Sequence, residues 1–92
     1  MASNRVVKEV VVTNRAGIHT RPASMLVRAA ARYEAEFFIY KDGFEINGKS
    51  IIGVMTLAAE QGAGLTLVFT GDDAQQAADD IERLFADGFG EA

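Results

Sequence analysis

The sequence predicts an α+β sandwich: a four-stranded antiparallel sheet covered by helices on one side, in the order βαββαβα. Three observations carry this. Four short stretches alternate apolar and polar residues at a period of two. Three others repeat apolar residues at the three- and four-residue spacing of an amphipathic helix. The pair Asp42-Gly43 sits between two alternating stretches, where a hairpin turn needs such residues. Helices with matching apolar faces cover one side of such a sheet and leave the other open.

Taken in order, residues 5–13, RVVKEVVVT, read as a valine-rich strand. Val6, Val10 and Val12 form the better inward set, broken by Lys8; Val7 and Val11 form the poorer one. Asn14 to Gly17 is turn chemistry. Thr20 is placed to cap a helix running to about Tyr33, with Pro22 in the first turn, where a missing N–H costs little. Ala23, Leu26 or Val27, Ala30 and Tyr33 supply its apolar stripe. Ala35 to Lys41 is the second strand, with Ala35, Phe37 and Ile39 on one face and Phe38 and Tyr40 on the other. Phe44 to Asn47 is the third, with Phe44 and Ile46 pointing the same way. Ser50 opens a second helix, SIIGVMTLAA. Leu65, Leu67 and Phe69 alternate along the fourth strand. Asp72 or Asp73 caps the last helix, with Gln75 and Gln76 completing a capping box. Its stripe is Ala74, Ala77, Ile81, Leu84 and Phe85, and Gly88 and Gly90 end it. Phe38 and Tyr40 fall on the open face of the sheet and hint at self-association, although scattered surface aromatics explain them more simply.

Ninety-two residues suit one domain, and 49% of them are hydrophobic, enough for a core. There is no cysteine, so disulfides and thiolate metal sites are excluded. Met1 to Lys8 lacks the apolar stretch of a secretory signal, and no run is long enough to span a membrane. The expectation is a soluble cytoplasmic protein. A net charge of −4 argues against nucleic acid as a partner. Residues 1–50 hold eight Lys and Arg against five Asp and Glu, while residues 51–92 hold one base, Arg83, against eight acids. That asymmetry could steer a partner to one face, or serve solubility alone.

The stretch AGIHTRPAS, residues 16–24, holds the only histidine. A helix starting here offers unpaired N–H groups and the positive end of its dipole, together an anion site. With Thr20 as cap, Ala23 stands where a capping-box Glu or Gln would block those donors. Arg21 adds a guanidinium fork suited to phosphate, and Arg15 adds to the field. A neutral imidazole is a competent nucleophile toward phosphorus. A transferred phosphoryl group would carry about −1.5 to −2 charge and meet the same donors. The alternative is an idle loop histidine in a plain partner-binding module. A metal site has no second histidine or cysteine to build on. A hydrolytic triad has no nucleophile frame such as G-x-S-x-G.

NGKSIIGVM, residues 47–55, is the second notable stretch. Ser50 is a good helix cap, which is reason enough for its presence. The helix it opens is apolar on too many sides for one sheet to cover. Some of Ile51, Ile52 and Met55 should therefore be exposed as a docking patch. A phosphate on Ser50 would stabilise the helix, so any regulatory effect would act on docking.

These two stretches, about 30 residues apart, resemble HPr, the histidine-containing phosphocarrier family of the phosphoenolpyruvate-dependent phosphotransferase system. The resemblance runs from about Lys8 to Phe85 and implies one HPr-like domain over residues 1–92. The fold it implies is the open-faced β-sandwich, four antiparallel strands with three helices on one face. By the same resemblance, His19 accepts a phosphoryl group on Nδ1 from phosphorylated enzyme I and donates it to enzyme IIA-type proteins. Arg21 contacts the group, with Thr20 beside it. Ser50 resembles the serine modified by an ATP-dependent HPr kinase/phosphorylase, which links the family to carbon-control regulators. Ile51, Ile52 and Met55, flanked by Arg28 and Lys49, resemble the docking surface. The protein is then a monomeric carrier that needs no cofactor or metal, rather than an enzyme. Small departures are the extra residues before the first strand, Arg15 where many members are neutral or acidic, and Gly48 where a larger side chain is common. The family also holds regulators of nitrogen or carbon metabolism without sugar transport; a branch lacking the histidine is disfavoured by His19.

Overall fold

Alternation in the sequence becomes a sheet with one buried face. The computed structural model describes residues 4–91; residues 1–3, among those ahead of the first strand, and residue 92 lie outside it. The elements are β1 (Arg5–Val11), α1 (Thr20–Ala30), β2 (Glu36–Lys41), β3 (Phe44–Asn47), α2 (Ile51–Thr56), β4 (Gly64–Thr70) and α3 (Ala74–Ala86), followed by a 3-10 turn at Gly88–Gly90. The strands are antiparallel in the order β1-β4-β2-β3, so the last strand is inserted beside the first. Among the described residues, no helix is long and apolar enough to cross a membrane.

Register fixes what faces the helices. Val6, Lys8 and Val10 of β1 lie opposite Phe69, Leu67 and Leu65 of β4. Phe37 and Ile39 of β2 meet the same Phe69 and Leu67 from the other side. Phe37 and Phe69 stack with centroids 4.6 Å apart, and burying each ring contributes about 1.5–3 kcal/mol. The inward set expected for β1 is therefore the one observed. Lys8, which broke that set, keeps its ammonium at the rim and pairs with Glu82 of α3 at 3.3 Å. On the open face lie Val7, Val11, Phe38 and Tyr40, with the Tyr40 hydroxyl donating to Glu45 at 2.8 Å.

Several ends differ from the sequence-based expectation. β1 stops at Val11, yet Val12 beyond it is still buried. α1 ends at Ala30 because the following amides of Arg32 and Tyr33 tighten onto Ala29 and Ala30. Phe44 shares its parity with Ile46 but lies past the edge of the covered sheet and is 73% exposed. The hairpin turn is as expected, with Asp42 and Gly43 both at positive φ. The capping box of α3 does not form. Asp73 is the N-cap residue, but its carboxylate accepts the Glu34 and Ala35 amides at 2.9 and 2.8 Å and so ties down the start of β2. Gln75 turns instead to Asp79. Gly48 is dictated by packing: a Cβ there would come within 2.2 Å of the Phe37 ring.

Candidate functional site

The turn from Asn14 to Gly17 sets the site. Gly17 takes φ +71, and a Cβ at that position would lie 2.5 Å from the Ala59 carbonyl oxygen. Glycine is thus required twice over, by backbone angle and by space. Ile18 follows as a buried anchor, its amide bonded to Ala59 O at 2.9 Å. The chain then reaches the start of α1 with its direction fixed.

His19, not Thr20, occupies the N-cap position. Its backbone is extended, its carbonyl accepts the Ala23 amide at 3.0 Å, and its side chain makes no capping bond. Thr20 is the first helical residue. The expected cap therefore shifts by one residue, and the physical reason is that an imidazole there turns outward. The consequence favours an anion. Thr20 and Arg21 carry first-turn N–H groups without helical acceptors, and Pro22 contributes none.

The imidazole is 44% exposed and its Nε2 lies 3.0 Å from Glu91 Oε2 and 3.2 Å from Oε1. A carboxylate only accepts, so in the neutral ring the nitrogen facing it carries the proton and Nδ1 is left bare. Arg21 Nη1 donates to the same Glu91 oxygen at 3.1 Å and to the Phe89 carbonyl at 2.8 Å. Asn14 Nδ2 donates to Glu91 Oε1 at 2.9 Å. These bonds, that from Asn14 foremost and then those from His19 and Arg21, hold the Glu91 carboxyl below the usual carboxylate range.

Glu91 and Asn14 are the residues that sequence reasoning missed. The glycines after α3 served only as a stop signal. In the structure Gly88, Phe89 and Gly90 are all at positive φ, and this turn carries Glu91 across to α1. Phe89 is its anchor, buried and edge-on to Phe85 at 5.0 Å. A lone aromatic between two glycines was the available signal. Asn14 is no mere turn residue, being 1% exposed.

The second site lies at the start of α2. Ser50 is its N-cap, and its hydroxyl oxygen accepts the Gly53 amide at 3.1 Å. Ile51, Ile52 and Met55 are exposed together, Ile52 the most at 74%. Arg28 is exposed in the last turn of α1. Lys49 is less available than expected, because its ammonium donates to the Tyr33 carbonyl at 2.7 Å. Arg15 is exposed and forms no ion pair among the described residues.

Comparison with known proteins places this architecture. The family model described as PTS HPr component phosphorylation site matches residues 6–87. The phosphocarrier protein HPr of Treponema pallidum is 48% identical over 86 residues, covering 94% of this chain and 98% of that protein. An HPr-like protein Crh of Halalkalibacterium halodurans is 43% identical, covering 88% and 93%. The crystal structure of HPr-C-His from Thermoanaerobacter tengcongensis superposes with a TM-score of 0.91 at 32% identity, covering 95% and 98%. With four antiparallel strands open on one face, three helices on the other and this match over most of its length, the chain belongs to the HPr family of phosphocarriers of the phosphotransferase system.

Proposed function

We propose that the protein is a cytoplasmic, monomeric relay that takes a phosphoryl group from phosphorylated enzyme I onto His19 Nδ1 and passes it to enzyme IIA-type acceptors. The observation that carries this is the shared carboxylate. His19 and Arg21 already converge on one anionic group, and the bond to Nε2 leaves Nδ1 as the nucleophile. Thr20 and Arg21 supply first-turn amides, and the guanidinium supplies a fork for the phosphoryl oxygens. Helix-end stabilisation of an anion is modest, roughly 0.3–1 kcal/mol and up to ~2 when partly buried. That suits a carrier, which must surrender what it holds.

Ile51, Ile52 and Met55 with Arg28 form the docking surface for these partners, and Lys49 supports it chiefly by bracing the turn after α1. Ser50 is the regulatory phosphorylation site for an HPr kinase/phosphorylase. Phosphate there would add charge at the helix end and beside the apolar patch, blocking docking without melting the fold. The likeness to a Crh protein favours one second reading, a regulator read out through Ser50 with no sugar flux.

Incubation with phosphoenolpyruvate and enzyme I separates the two. The relay gains one acid-labile phosphate, absent in His19→Ala. An unlabelled wild type, with an acid-stable phosphate appearing on Ser50 under ATP and the kinase, would leave only the regulator.

A further inference from the structure

The buried residue behind the site does more than shape a turn. Asn14 Nδ2 donates to Gly17 O at 2.7 Å and to Glu91 Oε1 at 2.9 Å. Both neighbours are acceptors, so the amide nitrogen must face them. Among the described residues, Oδ1 is then left buried with no hydrogen-bond partner. A native structure that tolerates an orphaned acceptor has some other reason to keep the residue. One bond holds the turn that presents His19; the other holds the carboxylate that grips His19 Nε2.

We propose that Asn14 is a positioning residue: it fixes Glu91 against Nε2 so that this nitrogen keeps its proton through both phosphoryl transfers. The proposal rests on the relay through His19. In the first transfer the Nδ1 lone pair forms the new N–P bond while the donor's bond to phosphorus breaks, its electron pair leaving with the donor. The ring becomes cationic, and the Glu91 carboxylate faces that charge. In the second transfer the Nδ1–P bond breaks and its pair returns to Nδ1. The ring departs as a neutral imidazole, because Nε2 still holds its proton. Without that proton it would depart as an imidazolate, a far poorer leaving group.

The clamp need not open when the phosphoryl group arrives. Arg21 uses only Nη1 on Glu91 and Phe89; its Nη2 and Nε have no partner among the described residues. Those donors can turn to the phosphoryl oxygens while Nη1 stays in place. Asn14 is the buried member of the group, whereas His19 and Arg21 are solvent-exposed, so it supplies the fixed end.

The test uses protein with ¹⁵N-labelled histidine at a pH where the ring is neutral. In the wild type the ¹⁵N shifts should mark Nε2 as the protonated nitrogen, with its N–H proton slow enough in exchange to be seen. In Asn14→Ala and in Glu91→Ala that proton signal should be lost to solvent exchange. Onward transfer should slow about tenfold at saturating acceptor, the scale of one charged hydrogen bond, with the apparent KM unchanged. A folded Asn14→Ala that keeps the signal and the rate overturns the proposal, as does a wild-type ring protonated on Nδ1. If Asn14→Ala fails to fold, Asn14→Leu, which fills nearly the same space without a donor, decides by the same criteria. Failure of His19 to accept phosphate would strike the relay instead, and would leave the ring signals of the unphosphorylated protein as a separate result.

Discussion

His19 and Ser50 both stand at the N-cap of a helix on extended backbone, and they use that position in opposite ways. Ser50 turns its hydroxyl inward and satisfies the Gly53 amide. His19 turns away and leaves the first-turn amides of α1 to whatever anion arrives. The same place in a helix can thus complete local structure or hold a side chain clear of it. Where the side chain caps, loss of the residue costs stability. Where it does not, the proposed relay predicts that loss costs chemistry.

That contrast can be broken in four ways. Arg21→Ala should reduce phosphoryl transfer about a hundredfold, the scale of removing one donor from a site of developing charge. Its melting temperature should move by no more than a few degrees, since the guanidinium is exposed. Equal losses of rate and stability would make the His19 end a structural cap after all. Ile52→Asp should weaken binding to enzyme I about thirtyfold with the fold intact, the usual weight of a central apolar contact. A misfolded variant would mean that the patch belongs to the core.

Ser50→Ala should lower stability by about 1 kcal/mol in denaturant titrations while transfer through His19 continues. Acid should separate the two ends without mutation. The Glu91 carboxyl is depressed below its ordinary value, so its network contributes stability above that value and loses it as pH falls through the depressed one. Amide shifts around His19 should therefore move on acidification below the ordinary carboxylate range. Those at Gly53 should not, because the Ser50 hydroxyl does not titrate there.

Much of this was legible in the sequence, and the remainder failed for identifiable reasons. The order of elements, the inward set of β1 and the Asp42-Gly43 turn follow from periodicity and turn chemistry, which are local. The exposure of Ile51, Ile52 and Met55 followed from counting how many sides of α2 a sheet can cover. What failed was long-range. Asp73 carries every mark of a capping residue, yet its carboxylate was taken by the amides of Glu34 and Ala35, nearly 40 residues earlier. Glu91 reaches His19 only because Phe89 is buried and the turn at Gly88–Gly90 points back across the sheet's end. No spacing within AGIHTRPAS announces a carboxylate 72 residues away. Thr20 misled for a smaller reason: hydroxyl residues are preferred caps, but a helix can begin at a histidine when the ring has a partner elsewhere.

The most direct measurement is the identity of the ring nitrogen that carries phosphorus. Phosphorylated protein with ¹⁵N-labelled histidine should show a ³¹P–¹⁵N coupling to Nδ1 of His19, with Nε2 still protonated. Coupling to Nε2, the nitrogen that faces Glu91, or no phosphorus on the ring at all, would contradict the arrangement described for this site.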